Sequence, residues 1–156
     1  MPADAASRKD AREALATVLT AALVGVGKPV EAVYAYPNDP IAESPVIQLA
    51  SGGTARQASG INDTRWKNVF KIEVATFVRD AHTVVGWTEQ DVEDTLDDVD
   101  KALADAIADA RVNANWSYIG FSPDPNDIPD QSEIATDVER GYKIEYRNVY
   151  IFYVEG

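Results

Sequence analysis

The stretch Thr64-Arg65-Trp66-Lys67-Asn68-Val69-Phe70-Lys71-Ile72-Glu73-Val74-Ala75-Thr76-Phe77-Val78-Arg79 alternates along most of its length. Trp66, Phe70, Ile72, Val74, Thr76 and Val78 share one parity, and Arg65, Lys67, Lys71, Glu73 and Arg79 share the other. Successive strand side chains point to opposite faces, so a period of two predicts a long strand with one apolar and one largely charged face. A strand wet on one side belongs to an antiparallel sheet covered on one face. Asn68 is the exception on the expected inner face.

A second strand with this pattern lies at the C-terminus, Tyr142 to Val154, where Tyr142, Ile144, Tyr146, Tyr150, Phe152 and Val154 share the parity expected to point inward. Asn148 interrupts it. Trp66-Lys67-Asn68-Val69-Phe70 and Tyr146-Arg147-Asn148-Val149-Tyr150 repeat one order of aromatic, base, Asn, Val, aromatic. This is either a chance likeness of two amphipathic strands or a sign that they are sheet neighbours whose asparagines mark a kink or a polar contact. No repeat of domain size accompanies it, so no duplication is inferred.

Upstream of the first strand, Leu15, Val18, Leu19, Ala22 and Leu23 recur at spacings of three and four, which predicts a helix over 4–23. Ser7 or Asp4 is its expected cap and Gly25 to Pro29 its stop. Strands are expected at Val30 to Tyr36 and Pro45 to Ala50. Ser51 to Asn62 holds three glycines and one large apolar residue, Ile61, and reads as a flexible loop. Downstream, Thr88 and Asp91 resemble a capping pair opening a helix of about six turns, with Val92, Leu96, Val99, Leu103 and Ile107 as its apolar stripe. Asn113 to Phe121 reads as a strand, the Pro- and Asp-rich segment after it as a loop over about 121–131, and Glu133 to Val138 as a weak strand. The expectation is an α/β protein of the α+β type: one domain over 1–156, with a mostly antiparallel mixed sheet and two main helices packed on one face.

Composition narrows the chemistry. The 156 residues include 14 Lys+Arg, 26 Asp+Glu, one His and no Cys, for a net charge of −12. Without thiols there is no disulfide, Cys-ligated zinc, iron–sulfur cluster or Cys nucleophile, which agrees with assembly in a reducing cytoplasm. An acidic chain is ill suited to unaided binding of nucleic acid or of anionic membranes, which draw affinity from Lys and Arg on phosphates. No run approaches the roughly 20 apolar residues of a membrane helix. The charge is also sided: residues 88–111 hold nine acids against Lys101 and Arg111, whereas residues 1–87 hold equal numbers of acids and bases.

Candidate sites are sparse. Asp94, Asp97, Asp98 and Asp100 could hold a divalent cation, but Leu96 and Val99 between them belong to the core stripe and no EF-hand spacing is present, so a solvated helix face is the simpler reading. Asp124, Asn126, Asp127 and Asp130 offer oxygen ligands, yet they are also ordinary loop residues. His82 lacks a partner placed by sequence for general-base work. Gly25-Val26-Gly27-Lys28-Pro29 has no Ser or Thr after the Lys, and Ser51-Gly52-Gly53-Thr54 does not lead into a helix, so neither is a phosphate loop. These residues predict no enzyme, no metal and no cofactor.

The order of elements, with Val33-Tyr34-Ala35-Tyr36-Pro37 at the end of one strand, Ser44-Pro45-Val46-Ile47-Gln48-Leu49 opening the next, and a closing Tyr142, Ile144, Tyr146 run, resembles the tail terminator proteins of long-tailed bacteriophages. Related minor tail and head–tail joining proteins look similar. The resemblance covers nearly the whole chain through element order rather than a diagnostic motif. It implies a small α/β domain without catalytic residues that forms a homo-oligomeric ring, usually a hexamer. Such a ring caps the tail tube, ends its polymerisation and offers a surface to the head connector, in a virion assembled in the host cytoplasm. Subunit or tube contacts are expected on the two loops, at Thr54, Arg56, Gln57 and Ile61 and at Asp124, Asn126 and Asp127. If the acids line the ring's lumen, DNA would pass without binding. The rivals are another neck or minor tail component, and a small-molecule module or enzyme using Trp116, Tyr118 and Tyr150 as a pocket.

Overall fold

The computed structural model describes residues 7–38, 41, 43–60, 63–81, 84, 86–122 and 131–154, with the backbone alone for 57–60, 63–67 and 154. In chain order the elements are α1 (Arg8–Leu23), β1 (Ala32–Tyr34), β2 (Val46–Gly60), β3 (Asp63–Arg79), α2 (Glu89–Asp109), β4 (Tyr118–Gly120), β5 (Ser132–Asp137) and β6 (Tyr142–Val154). They form an α+β fold whose six-stranded mixed sheet curls as a half-barrel. The sheet order is β1-β2-β3-β6-β4, with β5 sharing the outer edge of β6. Only β1 runs parallel to its neighbour.

Both helices begin as their sequences require. Ser7 accepts from the Asp10 backbone N–H while Asp10 returns a bond to the Ser7 N–H, and Thr88 with Asp91 makes the same box on α2. Each box satisfies amides that the first helical turn leaves open, and its acid sits at the positive end of the helix dipole. Ser7, not Asp4, is therefore the cap of α1.

The main core lies between the helices and one face of the sheet. Leu15, Leu19 and Leu23 of α1 and Val99, Leu103 and Ile107 of α2 pack with Ile47, Leu49, Phe70, Ile72, Val74, Val149, Ile151 and Tyr153. Trp116 closes it beside β4, fully buried, its indole N–H donating to the Ala110 carbonyl at 2.8 Å. Of the stripe expected on β3, Phe70, Ile72 and Val74 face this core, and Val78 packs in a smaller cluster with Val92 and Leu96 of α2.

Three expectations need correction. Ser51 to Gly60 is not a loop: β2 continues through it, paired with β3 as far as Gly60 opposite Asp63. Its glycines serve the strand. Gly53 takes a positive φ of 138° beside a register shift between Ser51 and Gly53, and a Cβ at Gly52 would lie 2.9 Å from Lys71 Cγ and 3.1 Å from the Lys71 carbonyl. A bulge and a close backbone approach explain the composition that suggested a loop. Asn113 to Phe121 contributes only the three-residue β4, while Val30 to Tyr36 contracts to β1.

The third correction concerns β6. Its odd residues Val149, Ile151 and Tyr153 face the helices, while Tyr142 and Ile144 join Ala75 and Phe77 in a second cluster against Ile41 and Tyr146. The helix-free face is thus not uniformly wet. Tyr142 donates to the Ile41 carbonyl at 3.2 Å, packs edge-on to Phe77, and Ser44 Oγ accepts from the Arg79 N–H, so residues before β2 cover this end. With both faces buried in different places, alternation cannot tell which parity points to the helices.

Candidate functional site

The β2–β3 ribbon and the acidic face of α2 are the strongest candidates for interaction surfaces. The ribbon starts inside the sheet and ends outside it. Among the described residues β6 accompanies β3 as far as the pair Lys67 and Val154, whereas β2 and β3 stay paired at Ala58 with Trp66 and at Gly60 with Asp63. The two strands therefore project as an arm, about 13 Å long from the four residues of β3 beyond that pair. On the other edge, β1 pairs only with Val46 to Gln48, so among the described residues no strand covers β2 beyond Gln48. An uncovered strand edge presents free backbone donors and acceptors to another chain.

The expected contact residues divide accordingly. Thr54 is half-buried and already engaged within the chain, accepting from Arg8 Nη1 at 3.1 Å; Arg12 Nη1 similarly donates to Ser51 Oγ at 2.6 Å. These bonds lash the start of α1 to the root of the arm. Arg56 is exposed, opposite Asn68, and Gln57 takes a strand position opposite Lys67. Ile61, Asp124, Asn126, Asp127, Asp130 and His82 lie outside the described residues.

Beneath the start of α1, polar groups sit in the core. Asn68 Oδ1 and Arg12 Nε are buried without a hydrogen-bond partner. Tyr153, opposite Asn68 in register, has its phenol pKa pushed up to about 12, by burial first and by the charge of Asp10 second. Both disfavour the phenolate.

The acids of α2 are not all solvated. Glu93 pairs with Lys143, and Asp100 with Arg147, whose guanidinium also lies 5.1 Å from the Phe121 ring centroid. Seven residues of helix span about 10 Å and four of strand about 13 Å, so the two pairs meet as α2 crosses β6. Alternation along β6 does not foretell these pairs, because Lys143 and Arg147 occupy the parity expected to face water. Asp105 pairs with Lys101 at 3.0 Å. Asp94, Asp97 and Asp98 are exposed and make no ion pair among the described residues. No group of three potential ligands converges there on a metal-holding geometry among the described residues.

Trp116, Tyr118 and Tyr150 do not come together as one pocket. Trp116 is in the helix-side core, and Tyr118 packs edge-on to Phe152. Tyr150 lines a shallow apolar depression of about 220 Å³ with Gly53, Thr54, Ala55, Val69 and Lys71, at the root of the arm. That is below the roughly 300–1,000 Å³ of a drug-sized ligand site. At the opposite edge, Tyr34 donates to Glu43 Oε2 at 2.9 Å, a hydrogen bond that holds its phenol above the ordinary pKa. No helix among the described residues is long and apolar enough to cross a membrane.

Comparison with models of known protein families gives no match, and comparison with curated proteins gives none either.

Proposed function

We propose that this chain is a structural virion protein, the tail terminator of a long-tailed bacteriophage, acting by surface complementarity rather than by reaction. The observation that supports this best is the β2–β3 arm projecting from a sheet with helices on one face. An arm and an uncovered strand edge are parts of a subunit that meets neighbours side by side. The order of helix, strands, acidic helix and aromatic closing strand agrees with the terminator pattern and with that of other head–tail joining proteins. In this reading the chain assembles into a ring, of six in the family's manner, on the last ring of the tube protein. One ring face stops tube growth and the opposite face receives the head connector.

The test combines two measurements on the purified chain. Mass photometry should find a ring of about six subunits, alone or on added tail tubes, and electron microscopy should find tubes capped at one end and no longer growing. A chain that stays monomeric both alone and with tubes, and leaves tube growth unchanged, overturns the proposal. Duplex DNA is expected to bind weakly; micromolar affinity with a steep salt dependence would contradict a part that lets DNA pass.

A further inference from the structure

Three arginines line the helix side of β2, and among the described residues no ion pair engages any of them. Directly opposite residues of an antiparallel pair share a face, so Ser51, Thr54 and Arg56, opposite Ile72, Phe70 and Asn68, point to the side that carries α1. Arg12 Nη1 donates to Ser51 Oγ at 2.6 Å and Arg8 Nη1 to Thr54 Oγ1 at 3.1 Å, while Arg56 is exposed at the next position. A guanidinium has five N–H donors in a fork that matches the two oxygens of a carboxylate. Each hydroxyl bond uses one donor, and Arg12 Nε is buried without an acceptor. In a chain of net charge −12, these three cations keep donors for a carboxylate from another molecule.

Their spacing suits an extended chain. The helix rises about 6 Å from Arg8 to Arg12, and successive positions on one side of β2 are about 6.6 Å apart. Every second side chain of an extended segment recurs at the same interval. The edge of β2 is open along this stretch: β1 pairs with it only as far as Gln48, and from Leu49 to Arg56, opposite Val74 to Asn68, it runs about 20 Å with no strand on its outer side among the described residues. Beside β1, a groove of about 570 Å³ opens between Ala16 and Thr20 of α1 and Val33 and Ala35. Glu13 is the charged residue of its lining, so the acids of an incoming chain belong beyond it, at the arginines.

We infer that the outer edge of β2 from Leu49 to Arg56 binds an extended acidic segment of a partner protein, added to the sheet as a strand, with carboxylates at alternate positions on Arg12, Arg8 and Arg56. The uncovered backbone supplies hydrogen bonds and the arginines select the sequence, as in other cases of strand addition. The register shift between Ser51 and Gly53 interrupts a regular ladder, so the side chains are needed to hold the segment in place. The groove beside β1 takes its uncharged end. This goes beyond the ring reading and does not depend on it.

A fluorescently labelled nine-residue peptide alternating valine and glutamate, titrated into the full chain and read by anisotropy, tests the site. It should bind saturably, and glutamine in place of its glutamates should weaken binding at least about tenfold, because the charge-assisted bonds are lost. An added strand turns only every second amide toward the sheet, so N-methylation of one alternate set of peptide amides should also weaken binding at least about tenfold and that of the other set should change it little. These comparisons need no variant of the protein. Arg8→Gln with Arg12→Gln and Arg56→Gln, shown to be folded by circular dichroism, should lose binding to the same extent, and Lys101→Gln on α2 should keep it. A parent peptide that does not bind, a glutamine peptide that binds equally, methylated sets of equal effect, or an equal loss in Lys101→Gln overturns the proposal. A chain that forms no ring yet discriminates the peptides in this way refutes the ring reading alone; a ring-forming chain indifferent to the glutamates refutes the strand site alone.

Discussion

β3 and β6 are neighbours with nearly the same pattern, and they bury opposite parities relative to that pattern. The strong apolar set of β3, Phe70, Ile72 and Val74, faces the helices; the aromatic set of β6 splits away from them, with Tyr142 and Ile144 on the helix-free side. Their register explains why. Val74 lies opposite Arg147, Thr76 opposite Glu145 and Val78 opposite Lys143, so the helix-facing positions of β6 turn from apolar to charged where α2 crosses. There Glu93 and Asp100 supply the complementary charge. An amphipathic strand thus reveals that it has two unlike faces, but which face is inward depends on what the rest of the chain puts above it.

The largest expected effects test whether both faces of the sheet carry core. Ile72→Ala and Ile144→Ala should each lower unfolding free energy by about 2–5 kcal/mol in denaturant titrations, because both side chains are almost fully buried. If the helix-free face at Ile144 were wet, that second substitution would stay within about 0.5 kcal/mol, as surface changes do. A smaller effect tests the polar half of the comparison. Asp100→Asn removes the charge opposite Arg147, a residue 8% exposed, and should cost about 1–3 kcal/mol. Arg147→Met together with Asp100→Leu should recover much of that loss, since a half-buried ion pair replaced by apolar side chains is often nearly neutral. Equal losses in the single and double variants would show that the pair does more than compensate its own burial.

The smallest effect is in the pH dependence. Tyr153 has a folded pKa of about 12, above the ordinary tyrosine value near 10, so the folded state keeps a proton that the unfolded state releases between those values. Its contribution is fully present below about pH 10 and is lost as pH rises toward 12. Tyr153→Phe should therefore flatten the stability profile in that window while changing little at pH 7. Asp137 has the opposite sign: its hydrogen bond to the Arg140 guanidinium holds its carboxyl below the usual range, so any contribution it makes is lost as pH falls through that lowered pKa.

Much of the candidate site was legible only as composition. The acidity of α2 was visible in residues 88–111, and so was its apolar stripe, but nothing in the spacing distinguished Glu93 and Asp100, which are paired, from Asp94, Asp97 and Asp98, which are exposed. The arm was hidden more completely. Ser51-Gly52-Gly53-Thr54 has the residues of a loop, and strand propensity is low across Ala55 to Gly60; pairing with β3 supplies the order that local preference lacks. Arg56 reads in the sequence as a loop residue, whereas it is a strand residue of β2 opposite Asn68.

The sequence by itself determined the two capped helices, the alternation of β3 and β6, the acidity of α2 and the lack of thiols, because each is a property of local spacing or of composition. The tertiary structure alone decided that β2 runs on through its glycines, that β6 turns its aromatic parity away from the helices, and that arm and acids lie at opposite ends of β3. Those are questions of register and of which surface covers which, and the free energy that answers them comes from residues far apart in the chain.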